Sequence, residues 1–146
     1  MPSSIDVAGY FLYLEGEHGE ISNLKLQKLV YYAQGFSLAL LNEPLFEDRI
    51  EAWMHGPVVP GLYHRFRDFG SNPIPPSNDF DPSVFSRDQR RLIQEVFDVY
   101  GQYSAWKLRQ LTHEEDPWRN NFEEGSFSRE IPQIEMERYF REHLVS

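Results

Sequence analysis

Cysteine is absent from this chain, which excludes disulfides and thiolate chemistry. No apolar run is long enough to span a bilayer. The longest candidate, 24–41, is interrupted by Lys25, Lys28 and Gln34. The opening "MPSSIDVAGYF" has no basic region ahead of an apolar core, so it is not a secretory signal. A cytoplasmic protein is therefore expected. The nine glycines are scattered singly, with no glycine-rich phosphate loop and no G-x-S-x-G nucleophile elbow. Positive charge is also scarce: 14 Lys and Arg stand against 23 Asp and Glu, a net charge of −9. That field repels nucleic acid and anionic lipid. The acidic surplus is concentrated from residue 112 onward, which suits either a basic protein partner or plain solubility.

What is present is a core. At 146 residues, 40% hydrophobic and 15% aromatic, the chain has the length and composition of one packed domain covering 1–146. Ile5, Ala8, Phe11 and Leu12 mark a first amphipathic helix, its apolar face widened by Val7, Tyr10 and Leu14, that Gly16 to Gly19 ends. In "ISNLKLQKLVYYAQGFSLALL", Ser22 is placed to cap a long helix, and Ile21 and Leu26 to staple its start. Apolar residues fall on most sides of that helix, so a central, buried position is expected. Only Lys25 and Lys28 define a polar edge. Gly35 suggests close approach by another element.

Residues 42–54 are expected to form a small hairpin or two short extended segments, through Leu45-Phe46 and Ile50 to Met54. Pro57 and Pro60 press Gly56 and Val59 toward extended backbone. Pro60 is then suited to open a helix reaching about Phe69. Residues 70–82 read as a loop. Ser86 to Tyr100 reads as a capped amphipathic helix stopped by Gly101, and Ser104 to Thr112 as a shorter one. One helical turn is expected after Pro117. A last helix runs from about Pro132, with Ile134, Tyr139, Phe140 and Leu144 as its inward residues. The fold class is thus mainly α: a single compact helical domain with a central buried helix and a small β-ribbon.

Chemistry is harder to find. His55, His64 and His113, with the acids after His113, could assemble a zinc site only through tertiary folding, because no H-E-x-x-H or similar spacing exists. The stronger reading is that His55 and His113 bond backbone groups at an elbow and a helix end. Arg87, Arg90 and Arg91, and Lys107 with Arg109, form small basic clusters, but no basic recognition helix accompanies them. Nucleic acid is therefore an unlikely partner by composition. Trp53, Tyr63, Trp106 and Trp118, with Tyr31 and Tyr32, are residue types that dominate protein interfaces. Most are needed for the core, and a partly exposed remainder would mark a contact site.

Three blocks carry a resemblance: "ISNLKLQKLVYYAQG" at 21–35, "PLFEDRIEAWMHGPVVPGLY" at 44–63 and "LTHEEDPW" at 111–118. In order and spacing they resemble the Panacea domain, the SocA-like antitoxin family that includes phage-associated GepA-type proteins. The resemblance covers nearly the whole chain. It implies an antitoxin of a bacterial or prophage toxin–antitoxin pair, which neutralises a toxin protein by direct binding without catalytic residues, metal or cofactor. Family members are also thought to present a bound toxin to a protease, so a proteolytic adaptor is the alternative, and a metal-dependent hydrolase a weaker one. The chain's limits suggest no appended DNA-binding module. The motif residues offered as contacts are Lys25, Gln27, Lys28, Tyr31, Tyr32, Trp53, His55, Gly56, Pro57, Tyr63, His113 and Trp118. The stretch 52–66 is expected to be an elbow that Trp53 anchors, Gly56-Pro57 turns and Pro60 leaves as a helix.

Overall fold

The computed structural model describes residues 1–125 and 129–145. Among them lie seven α-helices: α1 (Ser4–Glu15), α2 (Asn23–Leu40), α3 (Pro60–Arg65), α4 (Arg87–Tyr100), α5 (Ala105–His113), α6 (Asp116–Arg119) and α7 (Gln133–Tyr139). Strands β1 (Glu51–Trp53), β2 (Gly56–Val58) and β3 (Arg129–Glu130) form one antiparallel sheet in the order β2-β1-β3. The mainly helical expectation holds.

Helix starts follow their caps. Ser22 accepts from the Lys25 amide, and Ser104 from the Lys107 amide. Ser3 with Asp6, and Ser86 with Gln89, form reciprocal capping boxes. Pro60 sits at the start of α3, which ends sooner than expected, at Arg65, and passes into a 3₁₀ turn over Arg67–Phe69. Helix α2 is the hub. Helices α1, α3, α4, α5 and α7 and strand β2 all pack on it, and 14 of its 18 residues are buried. A Cβ on Gly35 would stand 2.3 Å from the Phe140 ring, so the glycine lets the π-helical turn Phe140–Leu144 close over α2. Loop 70–82 is tied back by the Ile74 amide donating to the Ile21 carbonyl at 2.9 Å.

Several expectations need correction. Lys25 and Lys28 do not form a solvated edge: both are buried, at 7% and 0% exposure. The Lys25 ammonium instead donates to the Gly101 carbonyl at 2.7 Å, capping the end of α4. Leu45-Phe46 is no strand. Gln34 of α2 holds it, accepting from the Leu45 amide at 2.8 Å and donating to the Phe46 carbonyl at 2.9 Å. The hairpin pairs Glu51 with Val58 and Trp53 with Gly56. Gly56 has φ +119°, a conformation reserved for glycine, where ordinary extended backbone was expected. In α7 the buried residue is Met136, while Ile134 is 57% exposed; Ile5 likewise faces outward. The helical phase of those short elements is set by the neighbour they pack on, which local pattern does not contain.

Candidate functional site

The three sequence blocks converge on the outer end of α2. Residues 23, 27 and 31 lie one turn apart, as do 28 and 32, so two adjacent rows of polar side chains face the elbow and α5. Asn23 donates to the Tyr63 carbonyl at 3.1 Å and accepts from the Gln27 amide group at 2.9 Å. The Gln27 carbonyl oxygen accepts from the Val59 amide at 2.9 Å. The elbow is thus latched to α2 by two buried carboxamides, each satisfied through its bonds.

Lys28 lies deeper, beneath the hairpin. A Cβ on Gly56 would come within 2.6 Å of its Cε and 3.1 Å of both its Nζ and the Thr112 hydroxyl. Only a glycine leaves the ammonium this space. The Nζ atom is buried and has no hydrogen-bond partner among the described residues. Burial, reinforced by the Arg109 guanidinium, brings its pKa down from 10.5 to about 7.

One turn along, the carboxylate of Glu115 accepts from the Tyr31 hydroxyl at 3.1 Å and from the Tyr32 hydroxyl at 2.8 Å. Burial pushes the Glu115 carboxyl up to about 7, against the opposing pull of those two hydroxyls. Tyr31 and Tyr32 are both held well above the ordinary tyrosine range, chiefly by burial and then by Glu115. Tyr32 also stacks on Tyr100, ring centroids 4.1 Å apart, and Tyr31 meets Phe140 edge-on.

The third block closes the arrangement. Trp118 donates its indole N–H to the Trp53 carbonyl at 2.7 Å and lies between the rings of His113 (3.9 Å, 6°) and Phe122 (4.7 Å, 14°). His113 is the last residue of α5, the helix end expected for it. Its pKa is lowered by burial first, then by Arg109 and Lys28. The Nε2 atom is buried without a partner among the described residues. Trp53 donates its own N–H to Glu51 at 2.9 Å and meets Tyr63 in a T-shaped pair, ring centroids 5.1 Å apart. Pro57 is buried in β2 opposite Ala52.

His55 departs from expectation. It does not bond the backbone of the elbow; it is exposed at the hairpin tip and accepts at Nδ1 from the Arg109 Nε at 3.2 Å. Arg109 in turn lies 4.9 Å above the Trp106 ring. Trp106 is 69% exposed and Met54 63%. Beside this tip runs a groove of about 330 Å³ between α2 and the elbow, with Leu24, Trp53, Met54, His55, Tyr63 and Arg67 along it.

The site therefore has two layers. The inner layer is a polar lock in which Asn23, Gln27, Tyr31, Tyr32, Glu115 and Trp118 bond other segments of the chain. Among the described residues no three His, Asp or Glu side chains come together as a metal would require, so His55, His64 and His113 do not assemble a zinc centre. The outer layer is the hairpin tip with the exposed face of α5. Asn23, Thr112 and the place of Arg109 escaped the sequence reading, and Glu115 entered it only as one of three acids after His113. Glu115 lies between Glu114 and Asp116, and only the fold distinguishes the buried acid from its exposed neighbours.

Residues 26–119 match the family model described as antitoxin SocA-like, Panacea domain, and the chain belongs to that family. Among curated proteins, Antitoxin SocA of Caulobacter vibrioides (strain NA1000 / CB15N) is 50% identical over 46 residues, which is 32% of this chain and 24% of that protein. The match thus spans about a quarter of the relative's length. No solved structure matches the chain.

Proposed function

We propose that the protein is an antitoxin that neutralises a toxin protein by binding it, through surface complementarity and without covalent chemistry. The observation that carries this reading is family membership across 26–119, the segment that contains most of the polar lock and all of the hairpin tip. The polar chemistry of the motifs supports it. Three residues that would be suspected of catalysis in an open cleft are packed or bonded against other parts of the chain: Glu115 by two tyrosines, His113 by the Trp118 ring, Lys25 by a carbonyl. Among the described residues no helix is long and apolar enough to cross a membrane, which suits action in the cytoplasm. Durable neutralisation of a protein needs an interface on the order of 1,200–2,000 Å² with a few buried anchors.

The test is genetic. The open reading frame beside the gene is induced with and without this protein, and surviving cells are counted. Killing by the neighbour alone and survival in the presence of this protein is the expected result. A harmless neighbour, or death despite co-expression, overturns the reading. Repeating the rescue in a protease-deficient host separates the two modes. Rescue that persists there is neutralisation by binding; rescue that vanishes there makes the protein an adaptor.

A further inference from the structure

We propose that the hairpin tip and the exposed face of α5 form the partner-docking surface, and that its occupant is an extended toxin segment with an apolar side chain flanked by carboxylates. This proposal rests on the antitoxin reading for the identity of the partner, but not for the chemistry of the surface.

Three observations lead there. First, Trp106 is 69% exposed and Met54 63%, on neighbouring elements that Arg109 joins. Tryptophan and arginine are among the residues most often found as binding anchors, and exposed apolar side chains grouped within a polar rim mark an interaction site. Second, Arg109 is held in place. Its guanidinium lies over the Trp106 ring and its Nε is bonded to His55, so little side-chain freedom remains to be lost on binding. Third, the local charge is unanswered. Acids outnumber bases by 23 to 14 in the chain, yet the ion pairs of the described residues involve Arg49, Arg129 and Arg141, and neither Arg109 nor Arg67. A held guanidinium with no carboxylate is a receptor for one.

The adjoining groove supplies the rest. Leu24, Trp53 and Tyr63 give it apolar walls, while Arg67 lies along it and Arg109 beyond His55 at its end. An occupant that places an apolar side chain between these walls and acids toward the two arginines satisfies every part. The groove between α1 and loop 75–84, of about 380 Å³, has Phe66 and Phe80 beside Arg65, but Asp6, Asp79 and Asp81 line it too and would repel an acidic occupant.

The test uses Trp106→Ser and Arg109→Glu, checked for unchanged circular dichroism and melting. Trp106 is mostly exposed, so its variant keeps the test valid if the second is destabilised. A random dodecapeptide phage library is selected on the full-length protein and counter-selected on the variants. The expected outcome is enrichment of peptides with an apolar residue beside Asp or Glu, bound at least about tenfold more weakly by either variant. No enrichment, basic peptides, or peptides that bind all three proteins equally overturn the proposal. So does a labelled single-stranded oligonucleotide or an anionic vesicle that binds in an Arg109-dependent way, since the surface would then recognise phosphate. In cells, variants that rescue from the neighbouring toxin as fully as the native protein overturn this docking face and leave the antitoxin reading standing. A native protein that never rescues, but selects acidic–apolar peptides, does the reverse.

Discussion

A buried amine without a partner is costly to keep, because its charged form loses hydration and gains nothing in return. Lys28 is such an amine, and Gly56 is the residue that makes room for it. Replacing Lys28 by Met removes the polar atom and keeps the length of the side chain. The expected outcome is a folded protein whose urea midpoint at neutral pH is unchanged or higher. Gly56→Ala is expected to go the other way, by about 2–4 kcal/mol, since it combines a positive φ with a 2.6 Å approach to Lys28 Cε. The double variant Gly56→Ala with Lys28→Ala tests that contact directly, and should recover part of the loss in the same urea titration. At this scale the sequence is a poor guide. Lys25 and Lys28, three apart on a helix, look like a solvated edge, and both are buried. Nothing local tells a lysine that caps another helix, or fills the space under a glycine, from one in water.

At the scale of elements, legibility depended on whether the signal was local. Ser22, Ser86 and Ser104 each precede the helix they cap, and those starts could be read because a cap bonds only its own first turn. The sheet could not be read in the same way. Its strands are two or three residues long, and β3 joins from the far end of the chain. Besides the Gln27 latch beside β2, the indole of Trp118 on the Trp53 carbonyl ties that ribbon to the third block. Trp118→Phe keeps the stack between His113 and Phe122 and removes the donor. A loss of about 1–2 kcal/mol is expected in denaturant unfolding, with faster hydrogen exchange along β1. Ser86→Ala, by contrast, should cost about 1 kcal/mol and leave β1 exchange alone. Equal exchange at β1 in the two variants would mean that the indole does not couple the third block to the second.

For the whole molecule, the two buried ionisable groups give stability an unusual dependence on pH. Glu115 titrates near 4.5 when unfolded and near 7 when folded. Between those values the folded protein holds a proton that the unfolded chain releases, so stability falls as pH rises. Lys28 titrates near 10.5 when unfolded and near 7 when folded. There the unfolded chain holds the extra proton, so stability rises from 7 toward 10.5. The two limbs meet in a minimum near neutral pH. The lowered pKa of His113 works against the acid limb, and the raised tyrosines end the alkaline one. A melting curve is expected to show a dip of about 5 °C around pH 7. Glu115→Gln should flatten its acid side and Lys28→Met its alkaline side. A single maximum across the neutral range would contradict the account. The same groups show why the candidate site was half legible. The three blocks that converge could be picked out as strings, but the division into an inner lock and an outer face needs the fold, because it depends on which side of a residue another segment lies.

The seat of Phe140 over Gly35 carries a consequence for synthesis. Helix α2 is made early, yet the face around Tyr31, Phe36 and Gly35 is covered by a ring from the last part of the chain, and Arg141 then closes over the carbonyl end of the same helix at Ala39 and Asn42. A ribosome-bound chain that has not yet released Phe140 must hold this aromatic face open to solvent, chaperones and proteases. The closing step must therefore wait until residue 140 has emerged, and a chain that stops short of it lacks the ring that covers α2 at Gly35.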